Sequence, residues 1–399
     1  MFESQNPLTQ TSKLTTTPVS TNSFANNDLN TSLDYGKSSA SGETPYQSQG
    51  LLKNPNPNPL FSSAAIVPDF NGDGKRDMIW RNQQTNDVAI WLMDGTKTID
   101  AKALGQMDAS WTPTIADFNG DGKTDMLWRN PQTGDSKIWL MDGTAVVSEQ
   151  ALPQLDAAWT PGIGDFNGDR KTDIFWNNKN TGQNSIWTMD GTTVASTAEL
   201  ETMDAAWKPT IGSVKGDGTT DIIWRNAQTG GNKLWLVNAG TPTAVELPKL
   251  EGAWTSTLGD FNRDLKSDML WQNTQTGETQ IWLMDGTAAP VTAQGPTVNP
   301  AAKASIGDFN GDGKTDVLWN NPTTGENSLW TMDGTTATAS ALPTLSGAWT
   351  PSIGDFNGDG KTDIFWRDNQ TGQDAIWTMD GANPTGEMIT QVPVGWYAF

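Results

Sequence analysis

Residues 117–128 read DFNGDGKTDMLW, and variants of this phrase recur along the chain. The phrase begins seven times, at intervals of 47 or 48 residues, at Asp69, Asp117, Asp165, Ser213, Asp260, Asp308 and Asp355. A fixed period of this length is typical of proteins built from stacked supersecondary units. Each unit matches one four-stranded blade, because the 3.6-residue apolar period of helical repeats is absent. The sequence therefore predicts an all-β fold, a seven-bladed β-propeller of four-stranded blades.

The second unit shows its four predicted strands most clearly. Residues 112–118 would form the innermost strand, 125–130 the second, 136–141 the third and 144–152 the outer strand. The intervening segments PQTGD (131–135) and DG (142–143) are typical of hairpin turns. The continuous apolar middle of the second strand favours a sheet that is covered on both faces, as it is when blades pack against each other.

The first 60 residues differ in composition from the rest of the chain. They are rich in Ser, Thr, Asn and Pro, contain none of the 20 tryptophans, and end in NPNPNP at 54–59. Proline fixes φ and removes a backbone donor, and such polar segments bury too little apolar surface to fold. We therefore expect an N-terminal tail at 1–60 that is disordered or extended or serves as a docking segment, and the propeller at 61–399.

The tryptophans fall into three registers of the repeat. Seven lie on second strands and seven on third strands, where we interpret them as packing between blades. Five more precede a blade and are called lead-in tryptophans below: Trp111, Trp159, Trp207, Trp254 and Trp349. The first unit has Ser63 where its lead-in tryptophan would stand, whereas Trp396 lies close to the C-terminus. We predict that Trp396 fills this place and closes the last blade against the first.

Each repeated loop carries oxygen-bearing side chains at positions 1, 3, 5 and 9, as in Asp69, Asn71, Asp73 and Asp77. Position 6 is usually glycine, which permits a sharp turn, and position 7 (Lys75) can offer its main-chain carbonyl. Calcium prefers such an all-oxygen cage. An Asx turn without metal would explain a single copy. Three carboxylates in one short loop repel each other without a cation, so we predict that the loops bind Ca²⁺.

The seven loops are not equivalent. Loops one, two, six and seven carry the full pattern and predict four strong sites. Arg170 and Leu265 replace the glycine in loops three and five, which predicts two weaker sites. Ser213 and Lys215 replace the first Asp and the Asn in loop four, which we predict to be empty. The predicted ligands are Asp69, Asn71, Asp73, Lys75, Asp77, Asp117, Asn119, Asp121, Lys123, Asp125, Asp165, Asn167, Asp169, Lys171, Asp173, Asp260, Asn262, Asp264, Lys266, Asp268, Asp308, Asn310, Asp312, Lys314, Asp316, Asp355, Asn357, Asp359, Lys361 and Asp363.

The composition excludes several functions. The chain has no cysteine and no histidine, so disulfides, zinc–thiolate sites and the commonest hydrolase triads are ruled out. A net charge of −21 argues against nucleic-acid binding, which depends on Lys and Arg. Neither a transmembrane segment nor an N-terminal signal peptide is recognisable. Because millimolar extracellular calcium would fill the loops more readily than the cytosolic level, we expect an extracellular or cell-surface protein exported by another route.

The units resemble the FG-GAP or VCBS repeat family, whose calcium loops also occur in the β-propeller of integrin α-chains. The resemblance covers about residues 61–399 and rests on the loop, the second strand (DMLW, 125–128) and the third strand with its turn (IWLMDG, 138–143). It implies a seven-bladed propeller with calcium at the loop positions named above, and the departures at Ser213 and Lys215 withhold that assignment from the fourth unit. Members of the superfamily include lectins that bind sugars between blades, adhesion modules and polysaccharide-processing enzymes.

The sequence favours a non-catalytic, calcium-stabilised module that binds glycans or a surface protein. Aromatic faces stack on sugar C–H surfaces, so we take the blade-junction tryptophans, with neighbours such as Arg81, Arg129 and Arg225, as the candidate ligand surface. These tryptophans are Trp111, Trp159, Trp207, Trp254, Trp349 and Trp396. The alternative interpretation is purely structural. The tryptophans would then pack between blades, the arginines would be solvated or salt-bridging, and the aspartates of the MDG turns would be simple turn residues.

Two alternatives stay open at the level of sequence. The propeller could be a structural or protein-interaction component of a surface appendage or secreted assembly, with the tail docking to a partner. A polysaccharide lyase or glycosidase is less favoured, because it would need a unique carboxylate pair or a Lys or Tyr base. The connections between units are uniform and offer no such insertion. The glycan, the partner and the oligomeric state are not encoded in these patterns.

Overall fold

A computed structural model describes residues 67–238 and 241–398. The predicted tail at 1–60 and Ser63 lie outside the described residues. The described part contains strands and turns but no helix, and its strands form seven four-stranded antiparallel sheets. The predicted all-β, seven-bladed propeller of four-stranded blades is confirmed.

The strands follow one another from the inner to the outer edge of each blade. The first blade contains β1 (Met78–Asn82), β2 (Asp87–Asp94) and β3 (Lys97–Gln106). The second contains β4 (Thr112–Ala116), β5 (Asp125–Arg129), β6 (Ser136–Asp142) and β7 (Ala145–Ala151). The third contains β8 (Trp159–Gly164), β9 (Asp173–Asn178), β10 (Asn184–Asp190) and β11 (Thr193–Leu200). The second-blade strands agree with those predicted from the sequence to within two residues.

The remaining blades repeat this order. The fourth contains β12 (Trp207–Gly212), β13 (Asp221–Asn226), β14 (Gly231–Asn238) and β15 (Thr241–Leu247). The fifth contains β16 (Trp254–Gly259), β17 (Asp268–Asn273), β18 (Thr279–Asp285) and β19 (Ala288–Gly295). The sixth contains β20 (Lys303–Gly307), β21 (Asp316–Asn320), β22 (Asn327–Asp333) and β23 (Thr336–Leu342). The seventh contains β24 (Trp349–Gly354), β25 (Asp363–Asp368), β26 (Asp374–Asp380) and β27 (Asn383–Met388), and the last strand is β28 (Trp396–Ala398).

The fourteen tryptophans of the second and third strands of the blades, called strand tryptophans below, form the core. All of them are buried, and in each blade the second-strand and third-strand rings lie 5.0 to 5.4 Å apart in tilted or edge-on contact. Such pairs contribute packing beyond the area that they bury. Apolar residues of neighbouring blades complete each cluster; Trp128 and Trp139, for example, pack with Ile79 and Ile90 of the first blade. The prediction that these tryptophans pack between blades is confirmed.

The C-terminal strand closes the ring. Strand β28 pairs with β1 as the innermost strand of the first blade, and Trp396 lies opposite Asn82. Trp207 lies opposite Asn226 in the same way in the fourth blade. The predicted placement of Trp396 is therefore confirmed.

A ring of main-chain hydrogen bonds also links the blades. The N–H at position 8 of each loop donates to the position-1 carbonyl of the preceding blade, with donor–acceptor distances of 2.5 to 2.9 Å. The bond from Arg76 N–H to the Asp355 carbonyl joins the first blade to the seventh. Because the same contact recurs at every junction, including the one between the ends of the repeat, the blades form a closed circle.

Substituting Trp396 tests the closure. Trp396→Ala is expected to lower the free energy of unfolding by about 2 kcal/mol, because half-buried aromatic area that packs on the core of the first blade is lost from the three-residue closing strand. The matched control is Trp207→Ala, whose strand continues directly into the loop of its own blade. Chemical denaturation of both variants measures the difference. Equal losses, or no loss for Trp396→Ala, would contradict the closure role.

Candidate functional site

The candidate residues lie at two opposite ends of each blade. In blades two to five and in the seventh blade, a lead-in tryptophan stands at or one residue before the start of the innermost strand, and the repeated loop follows the end of that strand, as Trp207 begins β12 and Ser213 follows it. The sixth blade has Ala302 in place of this tryptophan. Six residues of extended chain span about 20 Å. We call the two ends the tryptophan end and the loop end. The predicted calcium ligands and the predicted stacking surface therefore do not share one site.

The loop end is organised around the carboxylate at position 1. Asp69 Oδ1 accepts hydrogen bonds from the N–H groups of Gly72 (2.7 Å) and Asp73 (3.1 Å), and Oδ2 accepts one from Gly74 (2.9 Å). At position 5, Asp73 Oδ1 accepts the N–H of Lys75 at 2.9 Å. The second, sixth and seventh loops repeat these contacts. The short spacing of the motif thus folds the main chain around its first aspartate.

Position 6 has a positive φ whether or not it is glycine. Gly74 has a φ of 84°, whereas Arg170 and Leu265 adopt 68° and 67°. A left-handed conformation costs a side-chain-bearing residue roughly 1 to 2 kcal/mol. Both residues still donate their N–H to the position-1 carboxylate at 2.8 Å. Loops three and five therefore keep the shape of the intact loops, with local strain as the cost, while their lower calcium affinity stays a prediction.

The carboxylate at position 9 has a role that the sequence analysis missed. Asp77 is fully buried, its Oδ2 accepts the N–H of Phe70 at 2.7 Å, and its Oδ1 accepts the N–H of Met93 on the third strand at 2.9 Å. The same two bonds recur in all seven units. Position 9 thus ties the loop to the third strand. The sequence did contain a sign of this role: position 9 is still aspartate (Asp221) in the fourth unit, where other ligand positions change.

Burial dominates the protonation of these position-9 carboxyls. Desolvation raises the pKa of Asp77 to about 7, against the two hydrogen bonds from main-chain N–H groups, which lower it. Desolvation likewise raises the pKa of Asp268 to about 8. In the fourth loop, burial raises the pKa of Asp221 only to about 6, because the charge of Lys215 opposes the shift. A positive charge beside a position-9 carboxylate therefore stabilises its ionised form.

The lysines at position 7 form ion pairs with the aspartates of the MDG turns. Lys75 Nζ lies 2.5 Å from Asp94 Oδ1, and the remaining pairs are Lys123–Asp142, Lys171–Asp190, Lys266–Asp285, Lys314–Asp333 and Lys361–Asp380. The MDG aspartates are therefore more than turn residues, which corrects the simpler interpretation. Each aspartate is exposed, so an individual pair contributes little to stability. The fourth unit has Thr219 and Asn238 at these two positions and lacks the pair.

The fourth loop contains a cation of its own. Lys215 Nζ lies 3.0 Å from Asp217 Oδ2 at position 5 and 3.5 Å from Asp221 Oδ1 at position 9. It also donates to Thr219 Oγ1 at 2.8 Å and to the Val237 carbonyl at 2.6 Å. The ammonium thus lies among four oxygens and offsets part of the negative charge of the carboxylates at positions 5 and 9.

The donor chemistry of the other loops fits a calcium ion. Carboxylate and amide oxygens are hard ligands. Asp73 Oδ1 accepts one N–H and retains a further lone pair, whereas Asp69 Oδ1 already accepts two. The Lys215 ammonium is a stand-in that shows room for positive charge between positions 5 and 9. Over residues 67–238 and 241–398, however, no three acidic side chains converge closely enough to form a preformed metal site. The carboxylates contact main-chain N–H groups instead.

At the tryptophan end, an arginine follows four of the seven second-strand tryptophans and joins neighbouring blades. Arg129 is buried, lies 5.1 Å from the ring of Trp176 in the next blade, and donates to the carbonyls of Asp156 (2.7 Å) and Trp159 (3.1 Å). Arg81 makes equivalent contacts with Trp128 and the second blade. Of the two interpretations, solvated or salt-bridging, the solvated one is therefore wrong for Arg81 and Arg129, since their buried guanidinium groups hydrogen-bond to carbonyls of the segment that leads into the next blade. Arg81 and Arg129 position the blades and offer no free surface to a ligand.

The lead-in tryptophans differ in exposure. Trp254 and Trp349 are buried, so they offer little area for stacking. The half-buried ones are Trp111, Trp159, Trp207 and Trp396. Two of them are covered in part by lysines that the sequence analysis did not single out. Lys137 Nζ lies 5.6 Å from the Trp111 ring, and Lys233 Nζ lies 5.3 Å from the Trp207 ring.

These features can be compared with known proteins. The profile of the FG-GAP-like repeat matches residues 69–128, 117–176, 165–224 and 308–366. Among curated proteins, no significant match is found. The matched repeats cover more than half of the chain.

Solved structures share the architecture at low sequence identity. An Agrocybe aegerita lectin, described as recognising non-reducing terminal N-acetylglucosamine, is 14% identical with a TM-score of 0.67, over 83% of this chain and 96% of its own. A protein of unknown function from Desulfotomaculum acetoxidans is 11% identical with a TM-score of 0.50, over 79% and 99%. A virginiamycin B lyase from Staphylococcus aureus is 13% identical with a TM-score of 0.47, over 82% and 99%. The likeness to the first two establishes a common fold and nothing about ligands.

None of the described residues forms a helix of the length and apolarity needed to cross a membrane.

Proposed function

This chain belongs to the FG-GAP-like repeat family, and on that premise we propose that it is a non-catalytic, calcium-stabilised carbohydrate-binding or adhesion module of the cell surface. The observation that carries the proposal is the exposure pattern of the tryptophans. All fourteen strand tryptophans are buried, whereas four of the six at blade junctions keep part of their surface accessible. Core packing accounts for the first group and leaves the accessible faces of the second group unexplained.

Accessible indole faces suit sugars because the apolar C–H surface of a pyranose stacks on an aromatic ring. In the described part of the chain, no lysine lies over the Trp159 ring as Lys137 does over Trp111. Asp156 lies in the turn before Trp159, where polar groups can bind hydroxyls. Repetition around the ring would give several weak sites on one molecule, and multivalency raises avidity. The common fold of this chain and a lectin is compatible with this function but does not assign it.

Calcium would act on the loop end. The residues that would hold it are those at positions 1, 3, 5 and 9, with the position-7 carbonyl, in every loop except the fourth. When bound, the ion supplies positive charge that offsets the mutual repulsion of the three aspartates. It would also add its binding free energy to folding, because the loop joins the first and second strands. Millimolar calcium outside the cell suits this role and supports the proposed surface location.

Counting calcium tests the loop assignment. We expect equilibrium dialysis of the full chain to give four to six equivalents, because four loops are complete and two carry a strained residue at position 6. The variant Asp312→Ala should remove one equivalent. A matched control, Asp333→Ala, removes the partner of Lys314 at the nearby turn and should leave the count unchanged. Seven equivalents, or none, would contradict the assignment.

Glycan binding is tested with an array of immobilised oligosaccharides probed in millimolar calcium and again in EDTA. Selective binding that falls at least roughly tenfold in Trp159→Ala supports the proposal. Val147→Ala is the control, since Val147 is exposed on the outer strand of the second blade. Circular dichroism is recorded for each sample. No glycan signal from a folded protein would contradict the carbohydrate function and favour a protein partner.

The separation of the loop end from the tryptophan end predicts how EDTA should affect glycan binding. Because the loops and the lead-in tryptophans lie at opposite ends of the innermost strand, calcium should affect sugar binding only through folding. At a temperature where the EDTA-treated protein stays folded, binding should therefore persist. Loss of binding without loss of fold would place a calcium ion in the sugar site and contradict this arrangement.

A further inference from the structure

The fourth loop departs from the others through a coordinated set of substitutions. The lysine of position 7 is absent, a lysine appears at position 3, and the aspartates of position 1 and of the MDG turn become Ser213 and Asn238. The second, sixth and seventh units each carry four aspartates and one lysine at these places, a net charge of −3. The fourth carries two aspartates and one lysine, a net charge of −1. The difference of two charges equals the charge of one divalent cation.

The position of the lysine side chain matches this change in charge. Lys215 Nζ contacts both remaining carboxylates, Asp217 and Asp221, together with a hydroxyl and a main-chain carbonyl. An ammonium has three donors, and here they face oxygens of the loop and of the third strand. The side chain is only 19% exposed, so water screens these contacts weakly. The loop is therefore bridged to the third strand by a charge that is covalently attached to the protein.

We propose that the Lys215 ammonium replaces a calcium ion in the fourth blade, which makes this blade the one segment of the ring whose loop is ordered independently of calcium. The inference rests on the proposed calcium function of the other loops. The new element is that the fourth blade keeps its structure when calcium is withdrawn. Reversible loss of calcium would then loosen the other loops around a blade that remains ordered.

The experiment compares two variants of the full chain by thermal unfolding in calcium and in EDTA. Lys215→Met keeps the aliphatic stem but removes the charge, and should lower Tm by roughly 5 °C in both buffers, since Ser213 leaves the loop without a full ligand set. The double variant Ser213→Asp, Lys215→Asn restores the pattern of the other loops. It should lower Tm in EDTA, recover it in calcium, and bind one more equivalent of calcium than the wild type.

Lys249→Met is the matched control, because Lys249 is an exposed lysine of the same unit, and its Tm should stay unchanged. Hydrogen exchange of the wild type in EDTA should show loop 213–221 better protected than loop 308–316. Equal protection of the two loops, or an unchanged Tm for Lys215→Met, would overturn the proposal. If the wild type binds calcium but the double variant gains no equivalent, this inference fails alone. If the wild type binds none, the proposed calcium function fails with it.

Discussion

Replacing Arg367 by alanine is expected to lower the free energy of unfolding by about 4 kcal/mol, because it leaves a buried carboxylate without its counter-charge. Arg367 is 3% exposed and Asp374 is fully buried. The guanidinium Nη1 lies 2.8 Å from both carboxylate oxygens of Asp374. Burial raises the pKa of Asp374 to about 6 even with this partner present, so removing the partner should be costly.

The same pair holds the segment that closes the ring. Arg367 Nε donates to the Trp396 carbonyl at 3.0 Å, and Nη2 donates to the Val392 carbonyl at 3.2 Å. Asp374 Oδ2 in turn accepts the N–H of Val392 at 3.1 Å. The guanidinium carbon also lies 5.0 Å from the ring of Trp80 in the first blade. Loss of Arg367 should therefore weaken the seventh blade, the closing strand and the first blade together.

The controls come from the repeat itself. Arg225 occupies the same position in the fourth blade and stacks at 5.0 Å on Trp271, but its cross-strand partner is the neutral Asn232. Arg225→Ala should cost only about 1 to 2 kcal/mol. Adding Asp374→Asn to Arg367→Ala should recover at least half of the loss. Urea unfolding of the four proteins measures these differences; equal costs at positions 367 and 225 would show that the buried carboxylate is not the cause.

Much of the fold could be predicted because the repeat fixes both the number of blades and the register within each blade. The missing lead-in tryptophan of the first unit and the surplus Trp396 together predicted how the ring closes. The arginine contacts escaped prediction because their acceptors are the carbonyls of residues 26 to 30 positions later, as for Arg81 and Met107. No short pattern encodes a contact with a main-chain carbonyl of the next blade.

The loops illustrate a second limit of sequence analysis. Alternating acidic residues predicted side chains that converge on one point. In the structure, main-chain N–H groups compete for the same oxygens, and one of them comes from Met93, sixteen residues beyond Asp77. The substitutions Ser213 and Lys215 predicted that the fourth loop binds no calcium. In the structure, the Lys215 ammonium itself lies between Asp217 and Asp221. A count of charges could not have placed it there.

Without calcium, the protein is expected to be more stable near pH 5.5 than near pH 8, with Tm higher by roughly 5 °C or more. Burial raises the pKa of Asp77, Asp125, Asp173, Asp316 and Asp363 from 3.8 to about 7. In the unfolded chain these groups return to the value near 3.8. Between about pH 4 and 7 the folded state consequently binds more protons than the unfolded state, and stability rises as the pH falls through this window.

Calcium should reverse this dependence at the sites that it fills. Ligation favours the ionised carboxylate, so protons and calcium compete, and the rise in Tm on adding calcium should be larger near pH 8 than near pH 5.5. Thermal unfolding in EDTA and in calcium across this range measures both effects. Asp94→Asn is the control: its carboxyl is exposed and its pKa is lowered by Lys75, so its titration lies below the window. A calcium increment that is independent of pH would show that the position-9 carboxylates are not ligands, and would leave them as ties between the loop and the third strand.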